Sequence, residues 1–446
     1  MIKIPFIHKK GRIIPRTKRL NNTQNLFRRA GSRFLPKEKT TSLRNPRRFG
    51  LYLIATVLIG LFLFWIGNMI YSLISFDIVK AYRDDKSLQD IEWKGEDRIH
   101  ILIVGFDRRD GEFGFVDALT LLMVDPRDNS LGIFNINVDA SLYDTQSDRF
   151  ISLRKRYNYS VLENTSIPIY SLVENVESLL SVTIDRYILL DEEGVIELVD
   201  ALGGVYVTND RDLADEDITT SSGSYKLRSG SFRLGGEDFL AFLQADDDSY
   251  DYKMMRHSEG TKGFISRSTG YAQIIHLPRY VKIVESKAKT NMTKYELLRL
   301  GYEIMNLDQI NFGYSGLSSF KKKKVNGNIY YIPLYEVLDE DIQTVFVDSR
   351  IGKEQARVEV FNSTNVGGLA SFRARWMRNV GIDVIRVGDS SIVYEETTIY
   401  TKDEKTYYYT INAIERIFKE DVEVRAGKPD FITTGDIVVV IGANVE

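Results

Sequence analysis

Cysteine is absent from the 446 residues, and histidine occurs only four times. Without thiols there is no disulfide framework, no thiolate metal site and no cysteine nucleophile. Any metal must bind oxygen or imidazole, and His8, His100, His257 and His276 form no pair at zinc spacing. His100 lies inside an apolar run and reads as a packed core residue. Ser258, Ser266 and Ser268 lack the glycine pattern of a nucleophile elbow, so serine hydrolysis has no support. With 43% hydrophobic and 27% charged residues the chain is neither disordered, collagenous nor multi-span. Its length suits two or three globular units with real cores.

Acids are scarce at one end. Residues 1–48 hold fifteen Lys/Arg against the single acid Glu38, a balance of +14, so the rest carries −17. The next 28 residues, Phe49 to Phe76, have no charge at all. A helix rising ~1.5 Å per residue needs about 20 apolar residues to cross the hydrocarbon, so this run reads as one transmembrane helix. Lysine and arginine bias predicts a cytoplasmic N-terminus and an extracellular bulk, a single-pass protein of the plasma membrane. The positive region and the apolar run are both too long for a cleavable signal peptide. Pro5, Pro15, Pro36 and Pro46 interrupt the basic tail, which reads as a disordered topology signal with no nucleic-acid partner.

The expected divisions are a basic tail 1–48, the transmembrane helix 49–76, a stalk 77–97, a first domain 98–335, a linker 336–354 and a second domain 355–446. In the first domain the runs Arg98–Gly105, Ala118–Val124 and Leu131–Val138 read as central strands buried on both faces. Helical periodicity follows in Ile169–Leu180, Glu192–Leu202, Gly236–Leu243, Thr261–Ser286 and Lys294–Met305. Lys321–Lys324 reads as a solvated loop before the strand Asn328–Pro333. In the second domain strands are expected at Ala356–Phe361, Asp383–Val387, Glu396–Tyr400 and Asp436–Ile441, with helices at Leu369–Val380 and Asn412–Phe418. The fold class is α/β: a three-layer-like domain with a central mixed sheet flanked by helices, then a small C-terminal α/β domain.

Ligands of α/β sheets gather beyond the carboxyl ends of central strands. Asp107 follows the first run, Asp117 precedes the second and Asp139 closes the third. If the first and third strands are parallel and the second antiparallel, the three acids converge at one sheet end as a hard-cation site. Aspartates in turns also serve as backbone caps, and spacing alone leaves that alternative open. The run Asp246, Asp247, Asp248 reads as a solvated face.

Val104-Gly-Phe-Asp-Arg-Arg109 resembles the G-x-D-x-R motif of the LytR-CpsA-Psr family of bacterial envelope proteins. Ile184–Asp191, Gly194–Val205 (with Asp-Ala-Leu-Gly-Gly-Val) and Leu234–Phe242 are similar to further family motifs, over about Arg98 to Pro333. Ala356–Asn444 resembles the LytR C-terminal domain. The resemblance implies a phosphotransferase that moves a glycopolymer from a polyprenyl pyrophosphate carrier to peptidoglycan or another envelope acceptor. It implies Mg²⁺ on Asp107, Asp117 and Asp139, catalytic roles for Asp107, Arg109, Asp139 and Arg256, and an apolar lipid pocket. Arginine suits such a site because its planar fork takes two phosphate oxygens at once.

Several motif arginines are replaced, by Phe115, Val138, Gln244 and Lys253. Lys253, Arg154 and Lys155 are the cations expected to refill the phosphate site. At about 1.5–3 kcal/mol per charged hydrogen bond, three lost clamps cost on the order of 5–9 kcal/mol. That corresponds to roughly 10³- to 10⁶-fold in rate if nothing substitutes. The alternative expectation is therefore a non-catalytic envelope protein that keeps the fold as a binding module or scaffold.

Overall fold

The structure, a computed structural model, describes residues 46–76, 92–107, 115–145, 147–162, 168–245, 250–419 and 422–445. Helix α1 spans Pro46–Ser75. Its stretch Ile54–Ser75 is long and apolar enough to cross a membrane, and none of it is buried against protein. Exposed Leu, Ile and Phe side chains along it suit a lipid surround.

In the first domain the strands are β1 (Ile99–Asp107), β2 (Phe115–Asp125), β3 (Ser130–Ile136), β4 (Ser141–Asp144), β5 (Arg149–Ser152) and β6 (Arg186–Asp191). They continue with β7 (Val205–Asn209), β8 (Leu213–Thr220), β9 (Gly223–Leu227), β10 (Gly230–Leu234), β11 (Ala288–Thr290), β12 (Gln309–Tyr314), β13 (Phe320–Val325) and β14 (Asn328–Pro333). The helices are α2 (Leu153–Leu162), α3 (Pro168–Leu180), α4 (Glu192–Ala201), α5 (Gly236–Gln244), α6 (Tyr250–Ser268), α7 (Leu277–Lys287), α8 (Lys294–Met305) and α9 (Tyr335–Phe346).

Six strands form the central sheet in the order β11-β6-β1-β2-β3-β12. The short turn after Asp125 makes β2 and β3 antiparallel, β1 is antiparallel to β2, and the crossover through α2 and α3 makes β6 parallel to β1. The sheet is mixed, as expected. Period-two alternation sends Leu102, Leu121 and Phe134 to one face, against α3 and α9. Ile101, Leu122 and Ile133 point the other way, against Ile265 of α6 and Leu300 of α8. These are the three layers. Hairpins β7–β10 and β8–β9 form a side lobe packed on α4 and α5.

The second domain contains α10 (Ser349–Glu354), β15 (Arg357–Asn362), α11 (Leu369–Asn379), β16 (Asp383–Asp389), β17 (Thr398–Thr401), α12 (Tyr408–Ile417), β18 (Glu423–Ala426) and β19 (Ile437–Ile441). Its sheet order is β16-β15-β19-β17-β18, with the wholly buried Ile437–Ile441 at the centre.

Three expectations need correction. The linker 336–354 is helical: α9 buries Leu338, Ile342, Val345 and Phe346 in the first core, and α10 buries Ile351 in the second. Lys321–Lys324 is strand β13, paired with β14, because its cross-strand partners are β-favouring Ile and Tyr. Thr261–Ser286 is not one helix. α6 starts earlier, at Tyr250, and ends at Ser268 before Gly270, whose φ of 95° no helix continues. Of the stalk, residues 77–91 lie outside the described residues, while Trp93 donates its backbone N–H to Glu296 at 2.8 Å.

Candidate functional site

β1 and β3 end, and β2 begins, at the same edge of the sheet, which puts all three aspartate positions there. Asp107 pairs with Phe115. Gly105 pairs with Ala118 and Phe106 with Val116, so the ladder skips Asp117. That extra residue is a bulge, a device that re-aims a side chain. Asp139 is fixed by a local turn in which its own N–H donates to Asn137 Oδ1 at 2.8 Å.

Arg154, in the first turn of α2, joins two of the acids. The backbone sets it there, because Arg154 N–H donates to Val138 O at 2.7 Å and Leu153 N–H to Ala140 O at 2.9 Å. Its Nη1 donates to Asp117 Oδ1 at 2.7 Å and its Nε to Asp139 Oδ1 at 2.9 Å. Burial opposes the charge on Asp117, but the Arg154 hydrogen bond and the charges of Arg154 and Lys253 hold its carboxyl below the usual range. Burial likewise opposes the Arg154 charge, and Asp139 and Asp117 more than offset it, raising its pKa. Both partners are ionised at neutral pH.

Helix α6 supplies the opposite wall. Tyr250, Lys253 and His257 fall at i, i+3 and i+7, one helix face. Burial pushes the Tyr250 hydroxyl pKa up, and the charge of Asp139 adds to it. Among the described residues the Tyr250 hydroxyl has no hydrogen-bond partner. Burial and the Lys253 charge lower His257 to about 4, and its Nε2–H donates to Leu243 O at 3.0 Å. Neutral His257 and charged Lys253 therefore face Asp117. Sequence reasoning passed over Tyr250 and His257, although their spacing from Lys253 carried the signal.

Other expected site residues lie elsewhere. Arg256 is 2% exposed. Its Nε donates to Phe242 O at 3.0 Å and its Nη2 to Ala245 O, tying α6 to the end of α5. Lys155 points to solvent on α2. Arg108, Arg109 and Asp246–Asp248 lie outside the described residues, as does the Asp107 side chain. Among the described residues, no group of three His, Cys, Asp or Glu is placed to hold a metal ion. A cavity of about 410 Å³ opens at the other end of β1, between the two domains, lined by Arg98, His100, Asp185, Arg350 and Arg416.

The matching motifs have structural work of their own. Gly203 and Gly204, at φ of 76° and 92°, end α4 and turn the chain into β7. A Cβ on Gly236 would strike Ile196 O of α4, and Gly236 N–H donates to Asp200 Oδ1 at 2.8 Å. Asp-Ala-Leu-Gly-Gly-Val and Leu-Gly-Gly-Glu are thus two halves of one joint.

Residues 70–344 match the LytR-CpsA-Psr family. The chain belongs to that family. Residues 355–444 match the domain described as LytR cell envelope-related transcriptional attenuator. Polyisoprenyl-teichoic acid–peptidoglycan teichoic acid transferase TagU of Bacillus subtilis is 25% identical over 313 residues, covering 65% of this chain and 94% of that protein. TagU of Bacillus licheniformis is 24% identical over 303 residues, with 65% and 92% covered. The solved structure of the family protein YwtF (TagT) with bound octaprenyl pyrophosphate lipid aligns at 17% identity and a TM-score of 0.43, covering 59% of this chain and 95% of that one.

The residues standing where the resemblance expects arginine serve other roles. Val138 is packed in the core. Gln244 donates its side-chain amide to Glu192. Phe115 opens β2 opposite Asp107.

Proposed function

We propose that this membrane-anchored protein transfers a glycopolymer from a polyprenyl pyrophosphate carrier to peptidoglycan or another cell-wall acceptor. The tail of +14 puts the N-terminus in the cytoplasm and the two domains outside the plasma membrane. The carrying observation is the Asp117–Arg154–Asp139 constellation facing Lys253. In the transfer, an acceptor hydroxyl oxygen attacks the phosphorus that bears the glycan. The bond from that phosphorus to the polyprenyl phosphate oxygen breaks, and polyprenyl phosphate leaves. Asp139, with 36% of its side chain exposed against 24% for Asp117, is the acid open to take the hydroxyl proton. Lys253 and Arg154 neutralise the phosphate oxygens, the main requirement of phosphoryl transfer.

Carboxylate oxygens are the donor type of a hard cation, so Asp117 and Asp139, with Asp107 at the same strand end, fit Mg²⁺. Mg²⁺ would supply charge neutralisation on the pyrophosphate. Arg154 now lies between the two acids, and turning it away frees it to clamp phosphate. A second reading, a binding or scaffold protein without turnover, is favoured by Gln244, Val138 and Arg256, each engaged away from the acids.

Full-length protein in detergent, given a polyprenyl-pyrophosphate-linked glycan and an acceptor, tests both readings. The transferase reading expects polyprenyl phosphate release that stops with chelator and falls at least 10²-fold in Asp139→Asn. Binding of the lipid-linked glycan without release supports the scaffold. Chelator-insensitive release would remove Mg²⁺ from the proposal.

A further inference from the structure

The cavity of about 410 Å³ at the start of β1 lies at the far end of that strand from Asp107, and both domains line it. Its volume is that of a small-ligand pocket, roughly 300–1,000 Å³. The first domain supplies Trp93, His100 and Ser181, and the second supplies Arg350 from α10, Trp376 from α11, and Tyr408 and Tyr409 from α12. Four of these side chains keep a buried polar atom with no hydrogen-bond partner among the described residues: His100 Nε2, Ser181 Oγ, Arg350 Nη1 and Trp376 Nε1. His100, Ser181 and Trp376 are each 5% exposed or less. His100 Nδ1–H donates to Thr183 O at 2.7 Å, so its Nε2 offers a lone pair. Arg350 and Trp376 offer N–H donors, and the Ser181 hydroxyl serves either way. Buried polar groups in folded proteins are almost all paired, so orphans of both kinds around one cavity call for a partner from outside the chain.

Charge narrows that partner. Six cationic and six acidic side chains line the cavity. They cancel in pairs: Arg416 meets Asp185 at 2.6 Å, Arg350 meets Asp348 at 2.8 Å, and Arg127 meets Asp97. Such a lining selects no ion of either sign. Aromatic surface is the other component. Tyr409 packs against Tyr408 at 5.4 Å and is faced by the Arg350 guanidinium at 5.0 Å, whereas the half-exposed Tyr408 keeps open ring surface. Trp93 spends its indole N–H on Asp97 O at 2.7 Å, which leaves its ring for apolar contact. A sugar ring has the matching chemistry, a C–H face for an aromatic ring and uncharged hydroxyls that both donate and accept. We propose that this cleft between the domains binds an uncharged saccharide of one or two rings, stacked on Tyr408 and Trp93 and hydrogen-bonded to His100, Arg350 and Trp376. The proposal does not rest on the transferase reading. Ordered water also pairs buried polar groups, but water gains nothing from the aromatic lining.

The experiment is titration calorimetry of full-length protein in lauryldimethylamine oxide, a detergent without a sugar headgroup. The probes are cellobiose, maltose and diacetylchitobiose, each up to about 10 mM. Glycylglycine, which has an amide but no C–H ring face, and succinate, a dianion, are the controls. At least one disaccharide should bind, and Tm should rise with its concentration because the ligand binds only where the cleft is folded. Trp376→Phe keeps the packing but removes one buried N–H donor, and should weaken binding by about tenfold. Should that chain fail to fold, Tyr408→Ser at the half-exposed α12 position removes stacking surface and should weaken binding in the same direction. Absence of binding by all three disaccharides, unchanged affinity in the folded variants, or tighter binding of succinate or glycylglycine would each overturn the proposal. Asp139→Asn should bind the disaccharide as the parent does, so failure of the transferase reading is distinguishable from failure of this one.

Discussion

At the scale of single residues, two groups are held in protonation states that their neighbours dictate. His100 is buried, donates Nδ1–H to Thr183 O at 2.7 Å and is lowered to about 3, by burial first and the Arg416 charge second. The folded state resists a proton that the unfolded chain accepts below pH 6.5, so stability falls as pH drops through that window. The slope for His100 alone is about 1.4 kcal/mol per pH unit, and His257, lowered to about 4, adds to it. Glu177 acts oppositely. Burial raises it to about 7, so the folded state holds its proton and stability falls as pH rises from 4.5 toward 7. Urea unfolding between pH 4 and 6 should show a shallower pH dependence in His100→Gln than in the parent. Arg154 gives a second residue-scale prediction. In Arg154→Gln the acids Asp117 and Asp139 lose their shared partner, costing about 1–3 kcal/mol. Millimolar MgCl₂ should restore part of the lost Tm, whereas NaCl at equal ionic strength should not.

At the scale of elements, the joint between α4, β10 and α5 depends on close backbone approach. A Cβ on Gly204 would sit 2.9 Å from Leu234 O at a φ of 92°. Gly204→Ala is therefore expected to cost about 2–3 kcal/mol, read as a lower urea midpoint at unchanged m-value. Helix α8 opens with a capping box: Glu296 N–H donates to Thr293 Oγ1, and Glu296 Oε2 accepts from Thr293 N–H. Glu296 Oε1 also takes the buried Arg186 at 2.6 Å, so one carboxylate both caps the helix and balances a core charge. The signals for α3, α4, α5 and α8 were legible in the sequence because each exposes one polar face. Strands β7 to β10 gave no such signal, since their short half-exposed segments carry little periodicity.

At the scale of the whole molecule, the two domains are joined by partly buried ion pairs. Arg375 of α11 takes both oxygens of Asp339 at 2.6 to 2.9 Å and donates to Leu179 O at 2.7 Å. Arg416 of α12 donates to Asp185 at 2.6 Å, the carboxylate that also accepts His100 N–H. Arg350 meets Asp125 at 2.6 Å. Arg375→Ala leaves the half-buried Asp339 with Asn379 still donating to it, at a cost of about 1–3 kcal/mol. Calorimetry should then show two transitions where the parent shows one.

The amino-acid sequence alone determined the long apolar N-terminal helix, the mixed α/β sheet and the family, because charge-free length, strand periodicity and backbone-constrained glycines are local properties of the chain. It allowed three aspartates to share one sheet edge only on the condition that β1 and β3 run parallel and β2 antiparallel, which the pairing of β1 with β2 and of β2 with β3 meets. Tertiary structure decided what those residues meet. Arg154 between Asp117 and Asp139 and Arg256 spent on the end of α5 both depend on where remote helices pack, which no local pattern encodes.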